Sequence, residues 1–458
     1  MLRLVLICAA LCLGPLAAQP GAPPPPVLAA YIDSALTANR ALQQQDLALA
    51  QHLAALNAAR GLFLPSLTLE ARYSRAGGGR TIDVPVGTLV NPVYATLNQL
   101  LQENRFPRID DEEIPFLRET EHDTRLRMVQ PLFRAEIWYQ YAVAKNRRAA
   151  RAAEREAFIH ALVEDVQRAW YTWLKTRAVE DLLDATRRLL EENLRVSERL
   201  AANQMVTRAD VYRARAELSA LEQERAAAHR DRDLAAAYFN FLLNRPLDAP
   251  IDTVAADALP LPGVEPVADT ARVFSQRPEL AQLDAGQRAA GAAAGLARGA
   301  FLPSLTAVVD YGFQGEKYRF GAEDDYWMAS LVLSWNLFNG FQDRHRVQEA
   351  RLRERELAAR LDELKAQIAL DIRRGAQNLL VARKRLAAAR DGLAAARSSF
   401  TIVERQYREG LAPQVAFLDA RNTLTSAEIN AIIAEYDLHI RQAEWERILG
   451  NTPVETNR

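Results

Sequence analysis

Between Leu132 and Arg245 the chain contains neither glycine nor proline. These are the residues that most readily end a helix, one by adding backbone freedom and the other by removing a donor. A tract so free of breakers is expected to be helical, and Leu182, Leu189 and Val196 recur at sevens, as in packed coiled coils. A helix from about Phe133 to Leu200 would be roughly 100 Å long at 1.5 Å per residue, more than a compact globule needs. Reversal is expected at NQMVTRAD, residues 203–210, where Thr207 can cap a new helix and the heptads stumble. The returning helix should run to Leu243, with Asn244 and Pro246 closing it.

The plan occurs twice. ARGLFLPSLTLEARYS from Ala59 returns as ARGAFLPSLTAVVDYG from Ala297. Leu305, Ala307, Val309 and Tyr311 each lie 238 positions after Leu67, Leu69, Ala71 and Tyr73. Each copy reads as a helix end, a proline and a period-two strand, followed by a second strand and a long helical hairpin. The expected organisation is therefore a first repeat over 19–250 and a second over 251–458. In the first, one helix over 27–60 leads to a strand at 66–74. A long loop at 75–122, with one short helix near 94–103, joins it to a strand at 124–131 and a hairpin at 132–245. In the second, a Pro260, Pro262 and Pro266 connector leads to a helix from about Val267 to Gly299 and strands at 304–312 and 327–336. A hairpin at 337–450 follows, reversing at Glu409–Pro413. Its first arm carries Leu379, Leu386, Leu393, Phe400 and Tyr407 at strict sevens.

The first 18 residues form a short basic start (Arg3), an apolar run and the small pair Ala17 and Ala18, the layout of a cleaved export signal. Both cysteines, Cys8 and Cys12, fall inside it, so the mature chain is expected to have no thiol or disulfide. Neither follows the small residue that an acylated cysteine needs. A formal net charge of −1 leaves no basic footprint for nucleic acid. No later apolar run is long enough for a spanning helix, so entry into a bilayer would have to be by strands.

The four strands are apolar on one face; in the last, Trp327, Ala329, Leu331, Leu333 and Trp335 oppose Ser330, Val332 and Ser334. Alternation alone fits a soluble sheet packed on helices as well as it fits a transmembrane barrel. The export signal and the ring of Tyr73, Tyr311, Trp327 and Trp335 at the strand ends favour the bilayer. Four strands cannot close a barrel, and an open edge is not tolerated in hydrocarbon, so such a chain must oligomerise. Three copies would give twelve strands.

FLPSL at 63–67 and 301–305, QPLF at 130–133 against NLFNG at 336–340, and ADVYRARAEL at 209–218 against AFLDARNTL at 416–424 together resemble the TolC-like outer-membrane efflux proteins, over nearly the whole mature chain. That resemblance implies a mainly α fold with a small β part. Four strands per protomer contribute to a shared 12-stranded barrel in the outer membrane, in contact with its lipid, and a trimeric α-barrel in the periplasm is formed by long antiparallel coiled-coil helices. It implies a homotrimer, docking of a periplasmic adaptor and an inner-membrane pump at the helix tips (Met205, Val206, Thr207, Gly410, Leu411 and Ala412), and passive export without catalytic residues or cofactors. It places a periplasmic gate at Asp210, Tyr407 and Asp419. Asp419 would form a ring of charge, and Asp210 would pair with Arg208, Arg213 or Tyr407. Ala416 and Ala412 stand where the family has a second aspartate and an arginine.

The rival class is a periplasmic coiled-coil scaffold or adaptor with a small soluble sheet. An enzyme is disfavoured: no nucleophile–base pair, phosphate loop or metal cluster is evident, and the six histidines lack ligand spacing. The acidic run Asp110–Glu113 reads as a solvated loop, and WYTW at 170–173 as helix packing.

Overall fold

The computed structural model describes residues 24–254, 259, 261 and 269–451. The expected export signal with Cys8 and Cys12, the connector prolines Pro260, Pro262 and Pro266, and Val267 lie outside the described residues. Nine helices and six strands are found among the described residues. They divide into two compact units, one made of the described residues within 1–53, 146–288 and 354–458, the other of 54–145 and 289–353.

The second unit holds a four-stranded antiparallel sheet of β1 (Ser66–Arg75), β4 (Thr120–Phe133), β5 (Ser304–Gly315) and β6 (Asp325–Ser334), in the order β1-β4-β5-β6. β1 and β6 are its open edges. The pairing puts Glu70 opposite Arg125 and Arg127 opposite Asp310, so one face is polar. There Arg125 donates twice to Glu70 (2.9 and 2.8 Å) and Arg127 grips Asp310 bidentately (2.8 and 2.9 Å). Asp123 completes the ladder, accepting from Arg125 and from the Tyr326 hydroxyl. The other face carries Leu67, Leu69, Leu126, Met128, Leu331 and Leu333, all exposed in the single chain. At one end of that face Tyr318 and Phe320 close over His122, which is wholly buried. Trp335 lies beyond β6 rather than within it, its indole N–H donating to the Phe301 carbonyl.

Residues 75–122 were expected to be a loop with one short helix near 94–103. They fold instead into a module: a ribbon of β2 (Thr81–Val84) and β3 (Glu112–Pro115), and the helix α3 (Val86–Leu101). Glycine and proline density suggests a loop, but here side chains replace the missing ladder bonds. Asn91 exchanges two hydrogen bonds with the Ile109 backbone (2.7 and 2.9 Å), and Asn98 does the same with Phe106 (2.7 and 2.9 Å). Thr88 is held by Asp111 through both its backbone N–H and its hydroxyl. Gly87 permits the close approach, since a Cβ there would lie 2.3 Å from the Ile109 carbonyl oxygen.

The first unit is helical. Residues 27–60, expected as one helix, are two: α1 (Pro26–Ala38) and α2 (Arg40–Gly61). Asn39 makes the break because its side chain does better outside a helix. It accepts from the Leu42 N–H as a cap and donates to the Leu242 carbonyl at 2.8 Å. Likewise α6 (Thr270–Gln276) and α7 (Pro278–Gly299) part at Arg277, because Pro278 cannot continue a helix but can start one. The long pieces are α4 (Ala135–Ala202), α5 (Arg208–Leu242), α8 (Gln342–Arg408) and α9 (Gln414–Leu449). α1, α4, α5 and α9 share a core in which Leu28, Val166, Trp170 and Phe239 are fully buried and the Tyr31 ring meets Phe239 edge-on at 5.1 Å. Each such aromatic or aliphatic side chain contributes roughly 1.5–3 kcal/mol by leaving water.

Candidate functional site

The two reversals, α4 to α5 and α8 to α9, end the helical hairpins of the first unit. The first turns as expected. Thr207 is the N-cap of α5 and Asp210 its N3 residue, and the Thr207 backbone N–H (3.0 Å) and hydroxyl (2.7 Å) both donate to the Asp210 carboxylate. These bonds hold the Asp210 carboxyl below the usual carboxylate range, with a smaller contribution from the Arg213 charge. The partner of Asp210 in this chain is thus its own helix cap rather than Arg208, Arg213 or Tyr407.

At the second reversal Gly410 takes φ +76°, a left-handed turn that a side chain would strain. Leu411 N–H donates to the Gln406 carbonyl at 2.8 Å, and Pro413 starts α9. Tyr407 stacks on Phe417 at 4.7 Å, and Phe417 packs on Phe400, so Tyr407 belongs to an aromatic run along the α8–α9 seam. Met205 and Leu411 are exposed (72% and 76%), with Thr207 and Gly410 also open to solvent and Val206 and Ala412 half-buried. Asp419 lies exposed in the second turn of α9, its side chain without a hydrogen bond or ion pair among the described residues. No group of acidic, histidine or cysteine side chains suited to a metal occurs among the described residues.

Several residues that hold the tips together escaped the sequence reading. The buried seam of α4 is Leu183, Thr186, Leu190, Asn193 and Ser197, one position on from the Leu182, Leu189, Val196 register that the leucines suggested. It is partly polar because it receives polar partners. Buried Gln414 on α9 donates to Asn193 (3.2 Å) and to the Ser197 hydroxyl (3.0 Å). Arg421 donates to the Thr186 hydroxyl at 2.7 Å while its guanidinium lies over Phe400, and burial lowers its pKa. Asn422 joins α9 to α5 through Glu217, and Arg215 joins α5 to α4 through Glu198. The available signal was the seven-residue spacing of Thr186 and Asn193.

Residues 271–451 match the family described as outer membrane efflux protein, and the fold matches solved outer-membrane channels along nearly its whole length. A membrane protein from Pseudomonas aeruginosa superposes with a TM-score of 0.79 at 18% identity, over 95% of this chain and 97% of that one. The chain has the fold of the outer-membrane efflux channels. Of the other solved structures, the open-state MtrE channel of Neisseria gonorrhoeae gives a TM-score of 0.75 at 20% identity, over 93% of this chain and 89% of that one. Among curated relatives, the toluene efflux pump outer membrane protein TtgC of Pseudomonas putida is 24% identical over 281 residues, 58% of this chain and 56% of the relative. The solvent efflux pump outer membrane protein SrpC of Pseudomonas putida is 25% identical over 311 residues, 66% of this chain and 64% of the relative. The match thus spans little more than half the length of the first of these relatives.

Proposed function

We propose that this chain is a TolC-like outer-membrane factor, the passive channel of a tripartite efflux or type I secretion system, exported by residues 1–18 and seated in the outer membrane with its helices in the periplasm. Three copies close one barrel. The observation that carries this reading is the four-stranded sheet, which has two unpaired edges, an exposed leucine-rich face and an opposite face lined by paired charges. Such a sheet is stable in hydrocarbon only when its edges pair with other copies, and twelve strands leave room for water.

In this reading Met205, Val206, Thr207, Gly410, Leu411 and Ala412 form the docking surface for a periplasmic adaptor, beyond which stands the inner-membrane pump that supplies the energy. Asp419, Tyr407 and Asp210 line the periplasmic gate. Three Asp419 carboxylates on one axis would form a ring that selects and binds cations. The names of the two Pseudomonas putida relatives point to organic solvents as the cargo class.

The test is to express the full chain, fractionate the cells and reconstitute the detergent-extracted protein in planar bilayers. A trimer from outer membranes that conducts supports the reading. A water-soluble monomer in the periplasmic fraction would replace it with the scaffold alternative.

A further inference from the structure

α3 is built inside out. Its polar side, Thr88, Asn91 and Asn98, is turned inward and pinned to the 106–111 segment by the hydrogen bonds described above. Its apolar side therefore faces away from its own module. Leu89, Val93 and Leu100, at i, i+4 and i+11, fall within about 40° of one another on a helix of 100° per residue, and Leu89 and Leu100 are 70% and 75% exposed. All 16 residues of α3 are uncharged. An exposed stripe of this kind marks a surface that something covers.

The charge around it argues against a membrane surface. Residues 76–119 carry four arginines against seven aspartates and glutamates, a net charge of −3, with no basic residue on α3 itself. Helices that lie on lipid headgroups carry lysine and arginine along their polar face. The attachment of the module points instead to another copy of this chain. It springs from β1, the edge strand of the sheet, whose free side must pair with β6 of a neighbour if the barrel is to close. The module therefore hangs beside the seam between subunits, and threefold closure gathers three uncharged stripes around one axis.

Resting on the trimeric-barrel reading above, we propose that α3 is an intersubunit capping helix, its Leu89–Val93–Leu100 stripe packing on the same module of a neighbouring copy over the outer mouth of the barrel.

The experiment places Val93→Cys or Leu100→Cys in the full chain with Cys8→Ala and Cys12→Ala, and treats the detergent-extracted protein with a short bismaleimide. Both sites are exposed in the single chain, so neither variant disturbs its fold; Glu113→Cys, exposed on β3, is the control. At least tenfold more cross-linked dimer at positions 93 and 100 than at 113 is expected. An intact trimer on native gels without those cross-links overturns the capping role and leaves the channel reading standing. A photoreactive probe at position 93 that labels lipopolysaccharide or an unrelated protein in place of a second copy does the same. Absence of any trimer overturns the proposal together with the channel reading.

Discussion

Gln414→Leu is expected to loosen the hairpin tip without unfolding the hairpin. Gln414 is buried at the first turn of α9, and its amide donates to Asn193 (3.2 Å) and to Ser197 (3.0 Å) on α4. Ser197 in turn donates to the Asn193 backbone carbonyl at 2.9 Å. Leucine nearly conserves volume, so the cost lies in two acceptors left dry rather than in a cavity. Unsatisfied buried acceptors cost about 1–3 kcal/mol, which corresponds to roughly a 5- to 150-fold shift in a local equilibrium. If opening of the tip separates the start of α9 from α4, amide exchange across 193–215 and 406–420 should accelerate by that factor, while the 159–174 core stays protected. Asn193→Ala should show a smaller effect and couple non-additively to Gln414→Leu. Tip exchange within twofold of the unaltered protein, or strict additivity of the two substitutions, would refute the assignment of these bonds as the clasp between the hairpins.

Asp419→Ala should relieve block by divalent cations and alter single-channel conductance in planar bilayers; unchanged block would remove Asp419 from the gate. The Asp210 cap has a pH signature. Because its folded pKa is lowered, its contribution is complete above the ordinary aspartate value of about 4 and is lost as pH falls below it, so protection from exchange at 207–212, corrected for the intrinsic rate at each pH, should be flat above pH 5 and fall in acid. His439 stacks on Tyr171 at 5.0 Å, and burial pushes its imidazole down to about 4. It favours the unfolded chain as pH falls from about 6.5 toward 4, a loss of up to about 3 kcal/mol. Burial raises the pKa of Glu446, which acts in the opposite sense, so the measurement is the difference in thermal stability between the unaltered protein and His439→Gln. That difference should shift in favour of the variant across this window.

What could be read from the chain depended on whether a residue acted through its neighbours in sequence. The period of two at Leu67 to Tyr73 reports a sheet face directly, and β1 came out one residue longer than expected. The second reversal was legible because Gly410 is needed for its backbone angle. The gate role of Tyr407 and the docking role of the tip residues came from the family resemblance, not from that turn. Asn39, by contrast, looks tolerable inside a helix; it breaks one because Leu242, 203 positions away, offers a carbonyl. The α3 module looked like loop because Asn91 and Asn98 do work that ladders usually do, with partners 18 and 8 residues on. The α4 seam was misplaced by one residue because polarity hid it, and the polarity of Asn193 and Ser197 makes sense only beside Gln414. The proposed aspartate ring, finally, would be a property of three chains, of which one sequence supplies a single member.

The charge ladder of the sheet bears on what could travel past it. Arg125 and Arg127 are each already engaged by a carboxylate, and Asp310 has no exposed surface of its own. Cations and anions so matched present a passing molecule with satisfied dipoles rather than free charge, and a wall of that kind neither holds an ionic solute nor repels a neutral one. If the proposed channel runs past this face, discrimination among cargoes would have to be exercised before they reach the sheet, leaving this stretch free to be an indifferent exit.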